Sequence, residues 1–270
     1  MKTFTMLFWL LLVAVPAAAA DTAQTNAETQ QRLAAAFEEL LRAQGLQRSD
    51  TAPTEQAAFA IGVDGSAERP ELVAAPCVPK WQGDTDLQGK EFRYVAKNRG
   101  EWGGTLTAQR DGGRPQTLVE DNIIELVPRG RDLYVFTGLD NGMERGAVYV
   151  IENYDEKPRA RFMTLLPGMP VLVAPIDHRP ELLVVTNLSL TLVNTSVHGG
   201  HIEVLMARAG RLPFPNSVLP IGRGHIFIGI CGGVAHVKLP WNLPRTGDGV
   251  DPIPQIVYWT PVNPESWSHD

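Results

Sequence analysis

DLYVFTGL (Asp132–Leu139) and ELLVVTNL (Glu181–Leu188) agree at Leu133/Leu182, Val135/Val184, Thr137/Thr186 and Leu139/Leu188, with an acid in front of each. Looser copies stand on either side: EFRYVAKN (Glu91–Asn98) and HIFIGICG (His225–Gly232). Each is followed by a second strand-like run that opens on glycine: GTLTA from Gly104, GAVYV from Gly146, GHIEV from Gly200 and GVAHV from Gly233. The copies recur at a period of about 40 to 50 residues, and a fixed period of that size dictates architecture before any single residue is read.

Working outward from these runs, each unit divides into four short strands. In the second unit they are Ile123–Val127, Leu133–Gly138, Gly146–Glu152 and Ala160–Leu166. In the third they are Pro170–Val173, Leu182–Thr186, His201–Leu205 and Gly210–Phe214, and in the fourth Val218–Ile221, His225–Ile230, Val234–Leu239 and Pro254–Trp259. The first is less complete, with Phe92–Ala96, Gly104–Gln109 and Pro115–Val119. Four strands per repeat of this length is the pattern of a β-propeller blade. The second strand of each unit is nearly continuously apolar, as a strand covered on both faces requires. The expected fold is therefore mostly β, a propeller-like array of about four four-stranded repeats; a β-sandwich is the rival. Leu133, Val135, Phe136, Leu183, Val185, Ile226 and Ile228 are the expected core.

Ahead of the repeats the pattern changes. Thr25-Asn26-Ala27-Glu28 fits a capping box, and Leu33, Phe37, Leu40 and Leu41 form an apolar stripe at helical spacing. With Gly45 as a stop, a helix is expected over Ala27–Gln44. Residues 48–90 hold Pro53, Pro70, Pro76 and Pro79 and read as a loop-rich connector with two strands, around Ala58–Val63 and Glu71–Ala75. At the extreme N-terminus Lys2, the apolar run Leu7–Pro16 and the small residues Ala18-Ala19-Ala20 make a secretory signal with cleavage after Ala20. The apolar run is short of the roughly 20 residues of a membrane span. The expected organisation is a signal peptide over 1–20, an N-terminal helix over 21–47, a connector over 48–90, the repeat domain over 91–262 and a tail over 263–270.

The fourth unit carries a resemblance. Asn216-Ser217-Val218, Gly224-His225-Ile226-Phe227-Ile228-Gly229 and Gly232-Gly233-Val234 are similar to the blade motif of two-component-regulator-type sensor propellers, with Phe227 where that family usually has Trp. The resemblance implies the propeller fold and carries no signalling role, since neither a kinase nor a transmembrane module follows.

With 24 Lys and Arg against 30 Asp and Glu, the 270-residue chain has a net charge of −6, and removing the signal removes one lysine and no acid. That balance argues against nucleic acid and anionic membrane as partners. The two cysteines, Cys77 and Cys231, either bridge, as an exported protein permits, or stay apart as small buried hydrophobes. His198-Gly199-Gly200-His201-Ile202-Glu203 is the one cluster of metal-ligating residue types; its glycines favour a solvated turn entering a strand. Asp140-Asn141-Gly142 with Glu144 is too short for a calcium loop and reads as a hairpin turn. His225 and His236 fall within strands, where a structural histidine competes with one pointing into a central channel. Ser189, Ser196 and Ser217 lack a nucleophile-elbow context. Glycine pairs precede strands rather than helices, so no phosphate loop is present. Trp81, Trp102, Trp241, Trp259 and Trp267 lie outside the strand centres and suit either packing or partner contacts.

No catalytic residue, metal or cofactor is expected on these grounds. The functional expectation is an exported, periplasmic or secreted binding module of the bacterial envelope that recognises a protein or glycan through propeller loops. The alternative is a propeller-type metal-dependent hydrolase or lyase with an axial site, which needs several acids, amides or imidazoles converging at the axis.

Overall fold

A computed structural model describes residues 17–54, 57, 59–77, 84–139, 145–196, 200–207, 211–222, 224–239 and 253–267, with side chains from residue 26 onward. It opens with helix α1 (Ala17–Ala43), the short strand β1 (Leu46–Ser49) and the hairpin β2 (Ala60–Ser66) and β3 (Arg69–Ala75). A first four-stranded sheet follows, β4 (Thr85–Gln88), β5 (Phe92–Asn98), β6 (Gly104–Arg110) and β7 (Gln116–Val119). The second is β8 (Ile123–Arg129), β9 (Asp132–Leu139), β10 (Arg145–Glu152) and β11 (Arg159–Leu166). The third is β12 (Pro170–Pro175), β13 (Glu181–Thr186), β14 (Ser189–Asn194) and β15 (His201–Ala207). The last is β16 (Ser217–Ile221), β17 (His225–Ile230), β18 (Gly233–Lys238) and β19 (Gln255–Pro261).

Every sheet is an antiparallel meander in chain order, and β1 joins the outer edge of the last sheet beside β19. Successive sheets meet through their early strands, β5 with β8, β8 with β12 and β12 with β16; the hairpin β2–β3 then packs on β16 and β17. The apolar cores lie between neighbouring sheets. One cluster joins the first and second sheets (Leu106, Ile123, Val135), one the second and third (Phe136, Val148, Val184), and one the third and last (Val185, Leu190, Ile228, Val237). The architecture is mostly β and propeller-like, and all seven residues expected in the core are fully buried.

The structure departs from the expected strands where a turn lacks glycine. In the third unit the segment Ser189–Asn194, unassigned in the sequence, is the third strand; His201–Ala207 supplies the fourth; and Arg211–Phe214 forms bends rather than a strand. The β13–β14 turn is closed by a hydroxyl: Thr186 Oγ1 accepts hydrogen bonds from the backbone N–H of Leu188 at 3.1 Å and of Ser189 at 2.8 Å. A threonine side chain can substitute in this way for a turn residue with positive φ. β4 and β1 were also unforeseen; both are short and polar, and β1 exists through its ladder with β19. The helix starts upstream of Thr25, so the capping box expected at Thr25–Glu28 falls inside it. It ends as expected, with Gly45 at φ +80° donating its N–H to the Arg42 carbonyl.

Besides the β1–β19 ladder, a disulfide and a side-chain hydrogen bond tie the N-terminal segment to the last sheet. Cys77 and Cys231 form a disulfide with Cα atoms 5.2 Å apart, and the Val63 N–H donates to Ser217 Oγ at 2.7 Å. Among the described residues no helix is long and apolar enough to cross a membrane.

Candidate functional site

Alternation along two strands of the last sheet decides what faces the helix. On β17, Ile226, Ile228 and Ile230 point to the third sheet, so His225 and Phe227 point the other way. On β18 Ala235 and Val237 join the first set, leaving Val234, His236 and Lys238 on the helix side. Helix α1 meets this face with Ala34, Phe37 and Leu41, all buried, at the spacing of one helical stripe. Phe37 packs edge-on against Phe227 at 4.3 Å, and the Arg42 guanidinium lies 5.2 Å from the centre of the Trp259 ring.

Into this seam the helix inserts one carboxylate. Glu38 Oε1 lies 3.0 Å from His236 Nδ1 and 2.9 Å from Lys238 Nζ, while Arg42 Nη2 is 3.6 Å from Glu38 Oε2. His236 is itself 1 % exposed, stacks on Phe227 at 4.0 Å, and sets its Nε2 3.1 Å from His225 Nδ1. The network assigns the protons. A carboxylate only accepts, so His236 Nδ1 carries hydrogen; neutral His236 then has a bare Nε2, which accepts from His225 Nδ1–H. The outer nitrogen of His225 is left as an acceptor. His225 borders a small cavity of about 160 Å³ together with Ala27, Glu28, Gln30, Gln31 and Leu239.

The electrostatics follow from burial and pairing. The hydrogen bond from His236, helped by Lys238, outweighs burial and lowers the Glu38 carboxyl to about 2. Burial dominates at His236 and lowers it to about 4, against the pull of Glu38 and with the Lys238 charge adding to the shift. Burial, then Lys238, lowers His225. Each group thus keeps its neutral-pH form more firmly in the folded chain than in the unfolded one. A depressed folded pKa means stability that is complete above the unfolded value and is lost as pH falls toward the folded value. For His236 that window runs from 6.5 down to about 4.

The same helix walls a larger cleft. In an antiparallel meander the turns between first and second strands lie at one end of the array. Three such turns converge there: Ser66–Glu68 between β2 and β3, Asp177–Pro180 between β12 and β13, and Ile221–Gly222 between β16 and β17. With Asn26, Thr29, Gln30 and Leu33 of α1 they enclose about 660 Å³, within the range of small-ligand sites. Leu33 and buried Ile221 supply apolar surface; amide, hydroxyl, carboxylate, imidazole and guanidinium groups supply the rest. His178 holds φ +56°, a left-handed conformation uncommon for a residue with a side chain. Gly222 stands at φ +62°, a left-handed conformation that strains any residue with a side chain, and a Cβ there would also push the Gln30 amide, 2.1 Å away, out of its place. Gln30 borders both the cleft and the smaller cavity.

The residues singled out in the sequence are distributed as follows. His225 and His236 come together, facing α1 rather than a central channel. His201 is exposed and Glu203 half-buried on β15, and His198 lies outside the described residues. No group of three His, Cys, Asp or Glu able to hold a metal ion occurs among the described residues. Ser189 is buried in a hydroxyl chain with Thr186 and Thr191; Ser217 bridges the hairpin to the last sheet; Ser196 is exposed and bonded to Asn194 Oδ1. Trp259 is core, Trp267 packs at its edge, and Trp102 is 87 % exposed. Trp81, Trp241 and residues 140–144 lie outside the described residues. Sequence reasoning missed Glu38, Gln30 and the Asp177–Pro180 turn. Glu38 sits on the apolar face between Phe37 and Leu41, which is the signal that a partner awaits it.

Neither a family model nor a curated protein matches the chain, so the sensor-propeller resemblance of the last unit has no counterpart there. Among solved structures the chain is similar to a luciferin-regenerating enzyme at 8 % identity, covering 80 % of this chain and 96 % of that one with a TM-score of 0.40. It is also similar to an AtxE2 isopeptidase variant with Astexin3-dC4 bound, at 14 % identity and a TM-score of 0.34 over 64 % of this chain. The chain spans 29 % of the isopeptidase's length. Likenesses this distant carry no argument about activity.

Proposed function

We propose that the chain is an exported binding module of the bacterial envelope that recognises a glycan in the cleft beneath helix α1. The observation that supports this reading is the cleft's construction: the matching turns of the third and last sheets, the turn of the N-terminal hairpin and one helix converge on about 660 Å³ of mixed polar and apolar lining. A protein partner is engaged best by a flatter surface with buried aromatic anchors, and the lining has none. A glycan presents hydroxyl and amide groups that the Asn26, Gln30, Asp177 and Arg179 side chains can match.

Isothermal titration of the protein with soluble peptidoglycan fragments tests the proposal. Gln30→Ala is expected to weaken binding by about tenfold, the loss of one or two hydrogen bonds. Trp102→Ala, remote from the cleft, is expected to leave it unchanged. Absence of binding, or binding indifferent to Gln30→Ala, refutes the proposal.

A further inference from the structure

Helix α1 has two contacts that share one rigid rod. Its N-terminal half lines the cleft through Asn26, Thr29, Gln30 and Leu33; its C-terminal half is held to the sheet around Glu38. Any change in the second contact moves the first. The charged and titratable groups at the seam are Glu28, Glu38, Glu39 and Arg42 from α1, His225 from β17, and His236 and Lys238 from β18; β16 and β19 supply Leu219, Ile221, Val257 and Trp259 and no charge, and β1, which also packs on α1, supplies Leu46 and carries the exposed Arg48.

The hydrogen-bond chain accepts protons unequally. A first proton can enter His225 at Nε2 beside the small cavity, and the bond from His225 Nδ1–H to His236 Nε2 survives. A second proton must take His236 Nε2. There it opposes the His225 Nδ1–H across 3.1 Å, so that bond is lost. The added charge also joins Lys238 and Arg42 around a single carboxylate, in a seam where His236 has almost no access to water. A cation confined in that way is costly, and undocking the helix relieves it.

We infer that the Glu38–His236–His225 chain is a pH-sensitive latch: it fixes α1 over the cleft near neutral pH, and acid loosens the helix and lowers the affinity of the cleft for its ligand. The second half of this statement rests on the cleft reading above; the latch itself does not. The depressed imidazoles support the direction, since both are neutral near pH 7 and the folded state resists charging them.

Hydrogen exchange of the unliganded protein, read by mass spectrometry at about pH 7.5 and about pH 4 and corrected for the intrinsic rate, tests the latch. Peptides from residues 30–43 are expected to gain about tenfold or more in exchange at the lower pH relative to β13 as internal standard, a fold-change that marks local opening rather than global unfolding. In His236→Asn the amide donates to Glu38 from the position of Nδ1 and does not titrate, so the gain is expected to fall below about threefold. His225→Asn keeps the donor to His236 and removes the first proton acceptor; it is the second reading should His236→Asn not fold, and it too is expected to reduce the gain. Helix exchange that tracks β13 at both pH values, or a gain undiminished in the folded variants, overturns the latch. Soluble peptidoglycan fragments that bind equally at both pH values while the helix opens overturn the coupling. Fragments that never bind, with the helix response intact, overturn the glycan reading and leave the latch standing.

Discussion

Reducing the Cys77–Cys231 bridge removes a covalent link across a sequence separation of 154 residues. The contacts that accompany it, the Val63–Ser217 bond and the β1–β19 ladder, exist only in the folded chain and leave the unfolded ensemble unrestricted. The bridge alone shortens that ensemble, and for a loop of this size the chain-entropy relation gives about 5 kcal/mol, with long loops often delivering nearer 3. With a urea m-value of about 3 kcal/mol/M, the unfolding midpoint should fall by about 1 to 1.7 M. Far-UV circular dichroism across a urea titration, with and without reductant, measures it; Cys77→Ser should reproduce the reduced curve. Two free thiols in protein purified without reductant would refute the bridge. A midpoint that moves by less than about 0.3 M would equally refute it, since the hairpin would then not be closed onto the last sheet.

Two further outcomes follow from the packing. Val185→Ala empties space between the third and last sheets, where Val185 is fully buried, and is expected to cost on the order of 2 kcal/mol in the same urea assay; wild-type melting would contradict the position of that core. Gly222→Ala places a Cβ on the Gln30 amide at a left-handed position and is expected to destabilise by about 1 to 2 kcal/mol. It should also weaken glycan binding more than that loss of stability predicts.

How much of this was legible in the chain depended on how local the signal was. The strands of the second and last units announced themselves because their turns use Gly130, Gly222 and Gly232, all at positive φ, between continuous apolar runs. The third unit hid a strand because Thr186 closes its turn by accepting backbone hydrogen bonds, so LLVVTNLSLTLVN reads as one apolar stretch without punctuation. β1 could not be read from Leu46–Ser49 at all, since it is made by pairing with residues more than 200 positions later. The candidate site was half-visible. His225 and His236 stood out as residue types, while their partner Glu38 and the cleft residue Gln30 became meaningful only when the helix was placed on the last sheet. The cleft joins the turn of the N-terminal hairpin to turns of the third and fourth units, and no local pattern specifies that convergence.

Mapping a ligand onto the chain shows directly whether the cleft beneath α1 is the recognition site. Backbone amide shifts of isotopically labelled protein, followed by NMR during titration with soluble peptidoglycan fragments at about pH 7.5 where the latch is closed, give that map. Saturable shifts are expected at Asn26, Thr29, Gln30, Ala67, Asp177–Arg179 and Gly222, with β7, β11 and the Trp102 region unmoved. Shifts centred on the opposite end of the array, around Cys231 and Pro53, or no shifts at all, would contradict it.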